Sequence, residues 1–145
     1  MLKFLSKNRY LLLLIAIIFC LYYKFFLFGK IPFPGDLLVV SYSPWLDYYK
    51  FPVQNPLISD VFSLLFIWKY QAIDQLKNLQ WPLWNPYSFT GTPLLANYQS
   101  AAFSPLNLLY FILPFIDAWS IAVLLQPLLA GLVMYLYIRT LKLSE

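Results

Sequence analysis

The chain has 145 residues, of which 61% are apolar and 21% aromatic but only 11% charged, and its formal net charge is +4. Soluble domains average about 25% charged residues, and so few charges cannot cover so much apolar surface in water; a disordered tail, a coiled coil and an ordinary soluble domain are excluded, leaving the bilayer as solvent. The absence of histidine and the single cysteine, Cys20, also exclude a Ser-His-Asp triad, a His-built metal site and an intrachain disulfide.

In chain order, residues 1–9 form a basic N-terminus carrying Lys3, Lys7 and Arg9, which the positive-inside bias places in the cytoplasm. Residues 10–29 form an apolar run interrupted only by Lys24, whose stem can snorkel from near one end. A helix of about 20 residues spans the hydrocarbon core, so this run is read as the first transmembrane helix. A secretory signal peptide is the rival reading. The run is long for one, no A-x-A-like site follows, and Phe19 rather than a small residue precedes Cys20.

Residues 30–117 form a long loop, with four lysines and five aspartates, that the topology places outside the cell. It opens with Ile31-Pro32-Phe33-Pro34-Gly35-Asp36, which stops the first helix, followed by an apolar run of uncertain type, Leu37 to Val40. Residues 57–79 read as an amphipathic helix. Ile58, Val61, Phe62, Leu65, Trp68, Ala72, Leu76 and Leu79 form one face, and Asp60, Ser63, Gln71, Asp74 and Asn78 fall roughly opposite. Ser59 or Asp60 is the expected N-cap. The helix suits the membrane interface, with Trp68 and Tyr70 at headgroup depth; burial within a larger bundle is the alternative. Residues 101–113, bracketed by Pro105 and Pro114, are too short to span and are expected to form an interfacial or re-entrant helix.

Residues 118–138 carry no charge and form the second expected span, with Pro127 and Gly131 inside it. Arg139 and Lys142 follow, so residues 139–145 are also expected to be cytoplasmic. The positive charge is therefore a topology signal, and nucleic acid is not an expected partner. Neither span has the row of polar residues that lines a pore. The sequence contains no GxGxxG, Walker loop or tandem repeat.

Four blocks occur in order: Asn55-Pro56-Leu57-Ile58-Ser59-Asp60-Val61, Pro82-Leu83-Trp84-Asn85-Pro86-Tyr87, Gly91-Thr92-Pro93-Leu94-Leu95-Ala96-Asn97-Tyr98-Gln99-Ser100, and Pro105-Leu106-Asn107-Leu108-Leu109. In these the chain resembles the N-terminal part of the bacterial YfhO-like membrane protein family, over about residues 35–114. That family is similar to the GT-C glycosyltransferases. The resemblance implies an all-α, multi-pass protein of the bacterial cytoplasmic membrane, of which this chain would be the start. Its partners would be the bilayer, a polyprenyl-phosphate-linked sugar as donor, and the further C-terminal helices of the same protein. A cell-envelope glycopolymer or lipid-linked acceptor would receive the sugar at the outer face.

The resemblance places a general base soon after the first span, where Asp36 stands. A carboxylate there can take the proton of an acceptor hydroxyl as it attacks the anomeric carbon, and direct displacement inverts that carbon. A turn or cap aspartate after Pro-Gly is the simpler alternative. Asp60 is the second catalytic candidate, to orient the acceptor or bind a divalent cation, the one cofactor considered besides the lipid-linked donor. Its structural alternative is a first-turn acid. Lys30 and Lys50 are the local candidates for contacting a phosphate. Asp47 and Asp74 read as solvated, with Asp74 and Lys77 spaced to pair, and Asp117 as the outer end of the second span. Trp84, Asn85, Asn97 and Gln99 are the candidate substrate-binding residues, since amides beside aromatic faces recognise carbohydrate. The competing reading has the amides, with Asn107, satisfying turn backbones, as Asn85-Pro86 suggests. A reading of a different class is a non-enzymatic two-span scaffold whose loop lies on the membrane as a platform.

Overall fold

A computed structural model of the chain describes residues 9–42, 44–49, 53 and 55–141. Lys3, Lys7, Lys50 and Lys142, used above for topology and phosphate contact, lie outside the described residues. The described chain is mostly helical: α1 (Arg9–Leu21), α2 (Tyr23–Phe28), α3 (Gly35–Ser41), α4 (Trp45–Tyr49), α5 (Phe66–Lys77), α6 (Leu108–Ile112) and α7 (Phe115–Thr140). Two short strands, β1 (Trp84–Asn85) and β2 (Thr92–Pro93), pair antiparallel with Trp84 opposite Pro93 and Asn85 opposite Thr92. The chain divides into two compact units, residues 1–32 with 116–145, and residues 33–115.

In the first unit, α7 has 26 residues. At 1.5 Å per residue it is about 39 Å long, more than the roughly 30 Å hydrocarbon core. Among the described residues it is the one helix long and apolar enough to cross a membrane. The expected first span differs from the uninterrupted helix read from the sequence. It is divided at Tyr22, whose φ of −107° and ψ of 25° leave the helical basin. Helical hydrogen bonds nevertheless continue through the break, from Tyr22 N–H to the Ile18 carbonyl at 3.0 Å and from Phe26 N–H to the Tyr22 carbonyl at 3.3 Å. Gly29, with φ +62°, ends α2 in a left-handed cap, a conformation that costs a side chain but not glycine.

Within this unit α1 and α7 approach where Gly131 has no side chain; a Cβ there would lie 2.6 Å from Leu14 Cδ1. The Trp119 indole N–H donates to the Pro32 carbonyl at 3.4 Å. Pro127 lacks the N–H of a normal helical bond, a loss that apolar spans tolerate.

In the second unit, the expected helix over residues 57–79 is composite. Pro56–Ile58 is a 3₁₀ turn, Val61–Leu65 is π-helical, and α5 follows. Asn55, not Ser59 or Asp60, provides the side-chain cap, accepting from Leu57 N–H at 3.0 Å. Ser59 and Asp60 already have helical dihedrals, and Asp60 makes no cap bond. In the π segment Phe66 N–H reaches the Val61 carbonyl five residues back. Such a turn takes up one extra residue, which rotates the faces downstream by about 100° relative to a continuous α-helix. Gln71, expected on the polar side, is buried together with Ala72 and Ile73, so α5 is covered on more than one face there, while Trp68 and Ala72 keep their expected place in the core. Leu79, expected on the apolar side, lies beyond the helix end and is 96% exposed. The run expected over residues 101–113 is also shorter. Ala101 takes a left-handed φ of +47°, Pro105–Asn107 is a 3₁₀ turn, and only Leu108–Ile112 is α-helical.

Two apolar clusters hold this unit. Ala72, Leu94 and Ala102 pack with Trp68 and Leu95. Phe66 and Phe115 form an edge-on pair at 5.1 Å, with Phe33 4.9 Å from Phe66 and both Tyr70 and Tyr110 within 5.2 Å of Phe115. Edge-on and tilted rings at such distances add roughly 0.5–1.5 kcal/mol per pair beyond area burial. Burial pushes the Tyr110 hydroxyl up to about 12.

Candidate functional site

Three of the four motif blocks contribute to the frame of the second unit, since Pro82, Asn85, Leu94, Ser100 and Asn107 are all buried there. The hairpin β1–β2 carries two of these blocks. Asn85 is 0% exposed, and both ends of its amide are engaged: Oδ1 accepts from Tyr87 N–H at 2.9 Å, and Nδ2 donates to Ser88 Oγ at 3.0 Å. This Asx-type turn is what Asn-Pro before a tight reversal favours. Gly91, with φ +122°, lies under the Trp84 indole, where a Cβ would be 2.5 Å from the ring. The hairpin is fastened to α5 by Gln75 Nε2 donating to the Trp84 carbonyl at 2.8 Å.

A second polar knot holds the loop that follows. Lys69 Nζ donates to the Ala101 carbonyl at 3.0 Å and to Asn107 Oδ1 at 3.1 Å. Asn107 Nδ2 donates in turn to the carbonyls of Ala101 and Ala102 at 2.9 and 2.6 Å. Burial lowers the Lys69 ammonium to about 8 from its usual 10.5. Sequence reasoning did not single out Lys69. The available signal was a cation in the middle of a helix, beside Trp68 and near Ala72, both of which read as core.

Of the two catalytic candidates, Asp36 sits in the first turn of α3, half-buried, and α3 packs on the π-helical turn that begins one residue after Asp60. Asp60 itself is exposed at the head of that turn. The fold thus brings the segments bearing both acids together on one side of the second unit. Among the described residues no group of three His, Cys, Asp or Glu side chains is gathered as a metal-ligand set.

The four substrate-binding candidates separate. Asn85 is engaged in its turn, and Asn97 Oδ1 accepts from Gln99 N–H at 3.1 Å, capping the 3₁₀ turn Tyr98–Ser100. Trp84 and Gln99 are exposed. Tyr98 lines a groove of about 680 Å³ with Leu83, Leu95 and Phe103.

A smaller recess, about 400 Å³, lies between α5 and the β1–β2 turn. Ile67, Tyr70, Gln71 and Asp74 line it from the helix, and Tyr87 from the hairpin. Gln71 is only 8% exposed, and its Oε1 has no hydrogen-bond partner among the described residues. Helical periodicity marks one apolar face, and Gln71 is buried on a stretch of α5 where three successive residues are covered.

Comparison of the chain with protein-family models, with curated proteins and with solved structures gives no match.

Proposed function

We propose that the chain is the N-terminal part of a membrane glycosyltransferase of the GT-C type, similar to the YfhO-like proteins. It would use a polyprenyl-phosphate-linked sugar at the outer face of the bacterial cytoplasmic membrane. The observation that carries this reading is that three of the four motif blocks place polar and turn-forming residues in the buried frame of residues 33–115. A frame built from Asn85, Ser100, Asn107 and Lys69 is a rigid mount, as a site that must hold two substrates in register requires.

Topologically, α7 is one span, and the near-continuous run of α1 and α2 is the other, with residues 30–117 outside. Asp36 is the general base. It takes the acceptor hydroxyl proton while that oxygen attacks the anomeric carbon. The bond from that carbon to the phosphate oxygen breaks, its electron pair leaves with the phosphate, and the configuration inverts. Asp60, one helical segment away, orients the acceptor.

The test is sugar transfer by the full-length gene product in inverted and right-side-out vesicles, comparing wild type with Asp36→Asn and Asp36→Glu. Loss of about a hundredfold or more in the Asn variant is expected, from the usual contribution of a positioned base. Undiminished transfer in a stably inserted Asn variant overturns the base assignment, and wild-type protein with no transferase activity overturns the function.

The alternative, a non-enzymatic scaffold, draws on the exposed aromatic side chains of the loop unit, among them Tyr87, Phe89, Tyr98 and Phe103. It predicts that vesicles show no transfer at all.

A further inference from the structure

We propose that the recess between α5 and the β1–β2 turn is a binding site for a sugar ring, recognised through the Gln71 amide and the Asp74 carboxylate. The inference deepens the glycosyltransferase reading and rests on it for the choice of a sugar, but it requires nothing of Asp36 or Asp60.

The first observation is the unpartnered amide. Gln71 is more than nine-tenths buried, yet Oε1 accepts no hydrogen bond among the described residues. A buried polar atom left unpaired is costly, and native proteins keep such groups where something else completes them. Leucine or methionine would fill the same space on this helix without that cost.

The second observation is where the amide sits. Gln71 lines a recess of about 400 Å³, within the range of small-molecule sites. Asp74 lines the same recess from three residues further along α5, so the two polar groups share one helix face. Tyr70 and Tyr87 are both exposed and flank it from helix and hairpin.

The chemistry follows from these groups. Gln71 Oε1 is itself enclosed, and rotation about the terminal torsion, which is broad and weakly restrained, would exchange the two ends of the amide and bring Oε1 to the recess. The amide oxygen can then accept from one hydroxyl, and the carboxylate can accept from a pair of hydroxyls. Adjacent hydroxyls on a ring with one apolar face match an amide, a carboxylate and an aromatic wall. A phosphate or carboxylate ligand is disfavoured by Asp74, and a purely apolar one leaves Oε1 unpaired.

The hairpin wall is fixed independently of any ligand. Gln75 ties the Trp84 carbonyl to α5, and Asn85 shapes the turn that presents Tyr87. The recess is therefore largely preformed.

The experiment uses the full chain in lipid nanodiscs and saturation-transfer NMR. Its probes are the methyl glycosides of glucose, galactose and N-acetylglucosamine, with octyl glucoside in parallel. Saturable transfer from protein to at least one methyl glycoside is expected. Stronger binding of octyl glucoside than of methyl glucoside would identify the ring as a lipid headgroup, and equal binding a free or polymer-borne sugar. Gln71→Met and Asp74→Asn should each weaken binding about tenfold or more, the usual loss on deleting one hydrogen bond to a buried partner. Gln71→Met should melt at or above the wild-type temperature, because it removes an unpaired buried group. Absence of binding by the wild type, or undiminished binding by Gln71→Met, overturns the proposal. Binding loss in Asp36→Asn has no place in it, so failure of the site and failure of the catalytic reading are told apart.

Discussion

Lys69 Nζ lies 3.1 Å from Asn107 Oδ1, joining two residues 38 positions apart in sequence. The same ammonium donates to the Ala101 carbonyl, and Asn107 closes the triangle. One lysine and one asparagine thus clamp the loop over residues 101–107 onto α5. Among the described residues no carboxylate is bonded in the clamp, and desolvation by burial lowers the ammonium to about 8.

This clamp predicts a particular dependence on pH. Below about pH 8 Lys69 is protonated in both folded and unfolded chain, and the cost of burying the charge is fully felt. Between about 8 and 10.5 the unfolded chain holds a proton that the folded chain has released, so stability rises with pH across that window. Above 10.5 the contribution is flat. Calorimetric melting of wild type and Lys69→Met in nanodiscs should show the wild type gaining on the variant from pH 8 to 10.5. A constant difference between them would contradict the assignment.

Asn107→Leu removes the other half of the clamp. The Ala102 carbonyl loses its side-chain donor, the Ala101 carbonyl keeps only that of Lys69, and Lys69 loses one acceptor. A loss of about 1–3 kcal/mol in denaturant unfolding is expected for partners left unpaired in a buried setting. Asn107→Asp should do better than Leu and raise the Lys69 pKa, shrinking the rise between pH 8 and 10.5.

Gly91 depends on both its backbone and its neighbour. With φ +122° and the Trp84 indole 2.5 Å from where a Cβ would stand, Gly91→Ala meets strain from two sources. A cost of about 1–3 kcal/mol is expected from the dihedral alone. Trp84→Ala in the same chain should recover the steric part and leave the backbone part, which near-UV circular dichroism and chemical unfolding can separate.

Gly131 and Leu14 set the approach of α1 to α7. The contact is with the flexible end of Leu14, so Gly131→Ala should be absorbed by a side-chain rotation and change the melting temperature little. Gly131→Leu has no such room and should lower it. Leu14→Ala combined with Gly131→Leu should restore it, since residues in contact are non-additive.

Asn55→Ala tests which residue starts the composite helix. Loss of the bond from Leu57 N–H should cost about 0.5–2 kcal/mol, the range for N-cap removal. Ser59→Ala and Asp60→Ala make no cap bond to lose and should each be milder in thermal unfolding.

Much of this chain could be read from its residues. Apolar content and charge placement pointed to a helical chain rich in bilayer-compatible segments, and the uncharged run over residues 118–138 lies within α7. Such features are local: a helix of that length and hydropathy needs no partner to declare itself. Asn-Pro at residue 85 announced its turn for the same reason, through a side chain bonding two residues on.

Other features depended on the three-dimensional packing. The π turn before Phe66 has no composition signal, and the burial of Gln71 comes from packing on a second face of α5, beyond the one that carries Trp68 and Ala72. The partnership of Lys69 with Asn107, the buried state of Asn85, and the recess shared by Gln71, Asp74 and Tyr87 each join residues distant in the chain. Periodicity reports which residues share a face of one helix. It does not report where that helix changes pitch, or which loop folds back to meet it.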